Sequence, residues 1–357
     1  MGTSFLTDMP GPDPGARHPR PGQQGPGPAI HGLDAAVYVV PTDAPEADGT
    51  LAWDETIMVL VTARAGDAHG IGWSYTAAAA QSVVTDVLAG AVVGRSALDV
   101  AGAAEAMARA VRNIGRAGIA AMAISAVDIA LWDLKARLLG CPVTGLLGRV
   151  WADVPIYGSG GFTSYDDEQT RRQLAGWAER DGIPRVKIKI GEAWGGNERR
   201  DIERIALARE VIGPGTELFA DANGAYGTGQ AVRVAAMMTD YDVIWFEEPV
   251  SSDDLAGLAA VRRQVKPDVA AGEYSWSLAS SARLIDSGAV DCLQLDLTRC
   301  GGITEFLRGA ALAAAHCTQV SAHGAPNLHA QVAAAIPNLR HVEYFHDHQR
   351  IERMFFE

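Results

Sequence analysis

Residues 185–191 read RVKIKIG, 218–224 LFADANG, 243–249 VIWFEEP and 269–273 VAAGE. Each is a short apolar run that closes on polar residues, and each is followed by a stretch long enough for a helix. Such runs, alternating with helical stretches, read as βα units of a parallel sheet. In a (β/α)-barrel the C-terminal ends of the strands open on one face, where the chemistry sits. Lys187 and Lys189, Asp221, Glu247 and Glu273 stand at those ends. One polar strand end would carry little weight; acids recurring at matched positions of consecutive units predict that two ammonium groups and three carboxylates converge on one mouth.

Carboxylates brought together repel one another unless a cation joins them. An all-oxygen donor set selects a hard ion such as Mg²⁺, so Asp221, Glu247 and Glu273 are the expected metal ligands. The chain holds only four lysines, Lys135, Lys187, Lys189 and Lys266. Lys187 and Lys189 are two residues apart on one predicted strand and share a face. Beside a metal and in a low-dielectric mouth, their pKa values are expected to fall, leaving one neutral enough to act as a base.

Outward from this centre, VPIYGSGG at 154–161 begins the barrel. DCLQLDLTRCGG at 291–302 supplies a sixth strand ending near Asp296 and Arg299, QVSAHG at 319–324 a seventh with His323 at its tip, and LRHVEYF at 339–345 an eighth carrying Glu343. Neighbouring strands can bring Asp296 against His323; a carboxylate accepting the Nδ1–H of an imidazole fixes its tautomer and raises the basicity of Nε2. Asn223 lies close to Asp221. Glu248 is expected to alternate away from Glu247 to the other side of its strand. His316, His329, His341, His346 and His348 read as rim or surface residues, and His346-x-His348 has no zinc-site spacing.

On the N-terminal side, LDAAVYVV, ETIMVLVTA and HGIGWSY read as a β-meander from Ile30 to about Tyr75, with Pro41, Pro45, Asp48 and Gly49 separating the first strand from the second. Residues 79–137 are Ala-rich and helical in pattern: Ile124, Val127, Leu131, Leu134 and Leu138 recur at helical spacing until Gly140 and Pro142 stop the run. The division expected is a Pro/Gly-rich disordered tail at 1–28, an α+β capping domain with lead-in helices at 29–140, and a barrel at 141–357. The tail has no apolar core of a signal peptide. With 48% hydrophobic and 20% charged residues the chain has the composition of a soluble globular protein, and its net charge of −13 argues against nucleic acid or an acidic membrane surface as partner. Cys141, Cys292, Cys300 and Cys317 form no Cys-x-x-Cys pair and read as reduced thiols of a cytoplasmic protein.

This pattern resembles the enolase superfamily, specifically its mandelate racemase subgroup. The signature is a Lys-x-Lys on the second barrel strand, single acids ending the third, fourth and fifth, and an Asp/His pair on the sixth and seventh; the resemblance covers roughly residues 30 to 343. It implies an α/β fold, a modified (β/α)7β TIM barrel with an N-terminal α+β cap and an altered strand order. It also implies Mg²⁺-dependent removal of the proton alpha to a carboxylate, through an enediolate. By resemblance, Lys189 is the base on one face of the carbon and Lys187 lies against the substrate carboxylate and depresses the pKa of Lys189. His323, held by Asp296, acts on the opposite face. Glu343 is a protonated acid that hydrogen-bonds the enediolate. The loop at 41–53 and the segment near Tyr75 and Thr76 are expected to close over the substrate; Trp53, Tyr75, Asn223, Arg299 and Tyr344 are the candidate substrate contacts, with Phe345 and His346 beside them. The activity expected is dehydration of an acid sugar to a 2-keto acid, with racemisation or epimerisation and cycloisomerisation as alternatives, and an inactive barrel that only binds as the non-enzymatic one. A muconate-cycloisomerase-like site would need a lysine on the sixth strand, and no lysine follows Lys266. The partner expected is a small carboxylate, and the protein a homo-oligomer. The chain runs only a short way past the eighth strand, where the family usually packs further residues back on the cap.

Overall fold

The computed structural model describes residues 27–356, so the predicted tail lies almost wholly outside the described residues. The meander is present as a three-stranded antiparallel sheet, β1 (Ile30–Ala47), β2 (Ala52–Ala65) and β3 (Ala68–Tyr75), in that order. One expectation is corrected: Pro41 and Pro45 do not end β1. The strand continues past them, and its pairing with β2 slips between Pro41 and Glu46. β1 is an edge strand, where a missing N–H costs no ladder bond and a bulge is accommodated.

Ten helices of eight residues or more follow among the described residues. In the cap, α1 spans Val100–Ala110 and α2 Ile119–Leu138. Ile124, Val127, Leu131 and Leu134 of α2 are buried, as their spacing predicts. The sheet lies tightly on this helix because β3 carries glycine there: a Cβ at Gly72 would stand 2.3 Å from the carbonyl oxygen of Ala126.

The barrel strands are β4 (Ile156–Gly160), β5 (Arg185–Lys189), β6 (Glu217–Asp221), β7 (Val243–Glu247), β8 (Asp268–Ala271), β9 (Cys292–Leu295), β10 (Gln319–Ala322) and β11 (Leu339–Phe345). They pair in parallel and in chain order, and β11 closes the ring on β4. The altered strand order expected from the resemblance is therefore absent. Between the strands run α3 (Asp167–Ala175), α4 (Glu198–Ile212), α5 (Thr228–Met238), α6 (Leu255–Arg262), α7 (Leu278–Asp286), α8 (Gly302–Ala315) and α9 (Pro326–Ala333). The last helix, α10 (His346–Phe355), turns toward the cap. Its end packs there: Phe356 stacks on Trp73 at 4.1 Å and Phe355 meets the edge of Tyr38 at 4.8 Å. Short as it is, the segment after β11 makes the return to the cap.

Inside the barrel, Tyr157, Phe219 and Trp245 fill the floor and enclose His341. This apolar plug forces the polar strand ends upward into a shielded mouth. Among the described residues no helix is long and apolar enough to cross a membrane.

Candidate active site

Parallel pairing fixes the level of each site residue. Lys189 is in register with Asp221, and Asp221 with Glu247. Glu273 follows two residues past the end of β8. One carboxylate oxygen from each of Asp221, Glu247 and Glu273 lies within 4.8 Å of the other two. All three residues are buried, as are Lys187, Lys189, Asp296, His323 and Glu343. The structure thus brings together every residue predicted as a metal ligand or catalytic group.

Lys187 pairs with Glu247, with Glu343 Oε1 at 2.8 Å and with Asp221 at 3.5 Å, and Lys189 pairs with Asp221. Trp245 Nε1 donates to the second oxygen of Glu247 at 2.8 Å. On the opposite flank, His323 Nδ1 lies 2.9 Å from Asp296 Oδ2, while Asp296 Oδ1 accepts from the backbone and hydroxyl of Thr298, each at 2.7 Å. These bonds leave Asp296 a hydrogen-bonded anion that favours Nδ1–H on His323 and a basic Nε2. Nε2 faces Glu273 at 3.2 Å and Glu343 at 3.6 Å. Arg299 bridges Glu273 at 3.1 Å and Asp296 at 3.3 Å.

The electrostatics differ from expectation in two respects. Burial pulls both lysines down, but the carboxylates around them outweigh it and hold Lys187 and Lys189 above the ordinary range. Burial likewise pushes Glu343 up, yet Lys187 and His323 hold it well below the usual carboxylate range. The two departures are the two sides of the same ion pairs: the carboxylates hold the lysines up, and the cations hold Glu343 down. The carboxyls of Asp221, Glu247, Glu248, Glu273, Asp296 and Glu343 outnumber the permanent cations Lys187, Lys189 and Arg299. The excess appears at Glu247, which burial and the Asp221 charge push up to about 8. Glu273 Oε2 is buried with no hydrogen bond, its approach to His323 being poorly aligned. A dication placed among the three acids fits both the donor chemistry and the charge imbalance.

Glu248 corrects the sequence reading. β7 ends at Glu247, and Glu248 has a φ of +37°, so strand alternation no longer applies to it. Its buried Oε1 has no partner, and burial together with the charges of Glu273, Asp221 and Glu247 pushes its carboxyl well above the usual range. It faces the acid cluster. Three histidines placed at the rim are likewise interior. His341 lies in the barrel floor. His329 ties two site loops together, with Nε2 3.0 Å from the Leu297 N–H and Nδ1 2.7 Å from the Gly324 carbonyl. His348 is buried at the foot of α10. His341 shares the inward face of β11 with Glu343, a signal that strand alternation offered, whereas no spacing marks His329 on α9 or His348 on α10.

Over the mouth lies the β1–β2 turn. Asp48 Oδ1 accepts from the backbone of Thr50 at 2.6 Å and Leu51 at 2.8 Å, which sets the turn. Gly49 O accepts from Trp194 N at 2.9 Å and Ala47 O from Thr163 N at 2.8 Å, docking the turn on the loops after β5 and β4. The candidate substrate contacts divide. Asn223 and Arg299 are at the acid cluster: Asn223 N donates to Asp221 Oδ1 at 2.9 Å, and its buried side-chain oxygen has no partner. Trp53 is held in the lid, donating to Glu46 Oε2 at 2.8 Å and meeting the edge of Phe162 at 5.7 Å. Thr76 bonds Met122. Tyr75 is buried and stacks on His348 at 3.6 Å rather than opening to the acids. Tyr344 is not brought to the site. It follows Glu343 on β11 and so faces outward, taking a bond from Arg353 at 2.9 Å and lining an outer cleft with His346 and Trp177.

A capped parallel barrel whose mouth holds a carboxylate triad between a lysine pair and an Asp–His pair defines a class of enzymes: metal-assisted acid–base catalysts acting beside a carboxylate. The chain belongs to the mandelate racemase/muconate lactonizing enzyme family of the enolase superfamily. Residues 35–148 match the model of that family's N-terminal domain, and residues 169–357 match that of the enolase C-terminal domain-like family. A mandelate racemase/muconate lactonizing enzyme-like protein from Rubrobacter xylanophilus is 47% identical, with a TM-score of 0.89 over 92% of this chain and 91% of that one. L-talarate/galactarate dehydratase of Salmonella typhimurium is 32% identical over 82% of this chain and 73% of its own length. A Bradyrhizobium enolase crystallised with magnesium and mandelic acid is 30% identical, with a TM-score of 0.81 over 88% of this chain and 87% of that one.

Proposed function

We propose that this protein is a Mg²⁺-dependent acid-sugar dehydratase that removes the proton alpha to a carboxylate. The observation that carries the reading is the placement of two proton-transfer groups on either flank of the acid triad. Lys189 stands on β5 and His323 past β10, with Asp221, Glu247 and Glu273 on the segments between them. The names of the relatives, a galactarate dehydratase among them, agree with it.

Asp221, Glu247 and Glu273 would hold the Mg²⁺, which when bound supplies positive charge to the substrate carboxylate and to the charge that develops on it. Lys187, fixed by Glu247 and Glu343, presents an ammonium to that carboxylate and disfavours a second charge on Lys189. Lys189, whose ammonium is held by Asp221, Glu247 and Glu273, would be free to take the α-proton from one face once those acids are engaged by the dication. His323, whose imidazolium form is favoured by Glu273, by Glu343 and by the bond from Nδ1–H to Asp296, delivers its Nε2 proton to the departing β-hydroxyl, and the resulting enol becomes a 2-keto acid. The Arg299 bridge holds Asp296 and Glu273 in place. The lid turn excludes water and strengthens each of these interactions.

The same pair of groups supports a second reading. If His323 returns a proton to the α-carbon, the centre is racemised or epimerised. Incubation of sugar acids and α-hydroxy acids with Mg²⁺ in D₂O, followed by proton NMR, separates the two. α-Proton loss with a new 2-keto acid is the expected result; exchange with an epimer and no keto acid makes the protein an isomerase. Absence of exchange on every compound sinks both.

A further inference from the structure

His348 lies outside the residues that the proton-transfer reading uses, yet the structure spends several contacts on it. Its Nδ1 accepts the backbone N–H of Ala325 at 3.1 Å, in the loop that follows His323. An acceptor Nδ1 makes the ring a neutral imidazole whose proton is on Nε2. The ring is sandwiched: Tyr75 stacks on it at 3.6 Å and 8°, and Phe345 meets it edge-on at 4.9 Å. Tyr75 is itself held by Glu352 at 3.3 Å. A Cβ at Gly324 would sit 2.6 Å from Nδ1, so the loop after His323 is built closely around the ring.

The other nitrogen is left over. Nε2 has no hydrogen-bond partner among the described residues, although the residue is buried, and it is not among the polar atoms sealed from solvent without a partner. It therefore faces open space. That space is not the outer clefts on the flanks of α10: those are lined by His346, Gln349 and Arg353, and by Arg353 and Phe355, not by His348. The groups that set the charge around His348 are His323, Asp296, Arg299 and Glu343, and burial with the nearby His323 pushes the ring down to about 3, keeping it neutral.

We propose that His348 is a substrate-specificity residue, whose Nε2–H donates to a hydroxyl on the substrate chain beyond the α-carbon, selecting polyhydroxy acids over α-hydroxy acids with an apolar tail. An apolar group there leaves a shielded N–H without a partner, which is the stronger form of discrimination. The inference rests on the reading of the mouth as a hydroxy-acid site and adds the class of chain that it accepts.

The test measures binding apart from turnover. In a K189A background with Mg²⁺, affinities for a panel of aldonates and for lactate are measured by calorimetry, with His348 intact and as H348F, H348Q and H348A. H348F keeps the ring stack and loses both the donor and the acceptor for Ala325 N–H, any disturbance from the second loss being reported by lactate binding as well; H348Q restores a donor and an acceptor. The expected result is that H348F weakens aldonate binding by about tenfold or more, leaves lactate unchanged, and is substantially reversed by H348Q. Equal effects of H348F on both ligands, no effect on either, or no preference of the intact site for any aldonate over lactate overturns it. Failure of the dehydratase reading shows elsewhere, as α-protons that do not exchange while aldonate selectivity persists.

Discussion

Asp296 and His323 show how much one contact decides. At 2.9 Å the carboxylate orients the imidazole and stabilises its protonated form. Replacing Asp296 by Asn keeps the shape but not the charge, and the expected outcome is a fall in kcat of about 10²-fold or more with KM little changed, read from steady-state kinetics. A larger change in KM than in kcat would assign Asp296 to binding. At Lys189 the prediction concerns stereochemistry. K189A should abolish α-proton exchange for one configuration at C2 while H323N spares it, and deuterium incorporation followed by NMR tests this. If neither variant alters exchange, both proton-transfer assignments fail. Glu248 teaches the converse. Its neighbour Glu247 was legible because strand alternation is regular; a left-handed residue just past the strand breaks that regularity, and its direction could not be read from spacing.

The lid is the element whose behaviour departs most from its sequence. A run containing Pro41, Pro45 and Gly49 reads as a loop, yet an edge position and a bulge let it stay paired. The bulge turns Glu46 inward beneath the lid. Burial, and then the charge of Asp347, push its carboxyl from 4.5 up to about 8. The folded state thus binds a proton that the unfolded chain releases above its ordinary pKa. The stabilisation is complete below about 4.5 and is lost as pH rises toward 8. E46Q removes the titration while leaving an oxygen for Trp53 Nε1. The variant should match the unmodified protein in thermal melts near pH 4 and exceed it at pH 9. Equal melting of both proteins at pH 9 would refute the uncompensated burial of Glu46.

For the whole molecule, the excess of carboxyls over cations in the mouth links metal binding to stability. A ligand bound only by the folded state stabilises it by about 2.7 kcal/mol at a concentration 100 times its Kd. Mg²⁺ should therefore raise the Tm of the protein by several degrees, and chelation should reverse the rise and abolish turnover. E247Q should blunt both effects. A Tm indifferent to Mg²⁺, with full turnover in excess chelator, would falsify the metal role of Asp221, Glu247 and Glu273. The cap takes part as well: α10 leaves the barrel, and the segment stacks Phe356 on Trp73 and sets His348 against Tyr75, so one helix ties the cap to the loop after His323.

The barrel and its acid triad were legible in the linear sequence because both follow from local rules. Short apolar strands end in polar residues at regular intervals, and parallel register then places Lys189, Asp221 and Glu247 at one level. What could not be read there depends on groups far apart in the chain. The lysines Lys187 and Lys189 are held up by the carboxyls facing them and Glu343 is held down by the cations facing it, against the pull of burial in each case. Tyr344 looked like a pocket residue and faces outward, whereas His348 looked like a rim or surface residue and is buried, because strand alternation governs the first and the packing of α10 against Tyr75 governs the second. Periodicity is a property of neighbours along the chain; electrostatic balance and the path of a terminal helix belong to neighbours in space.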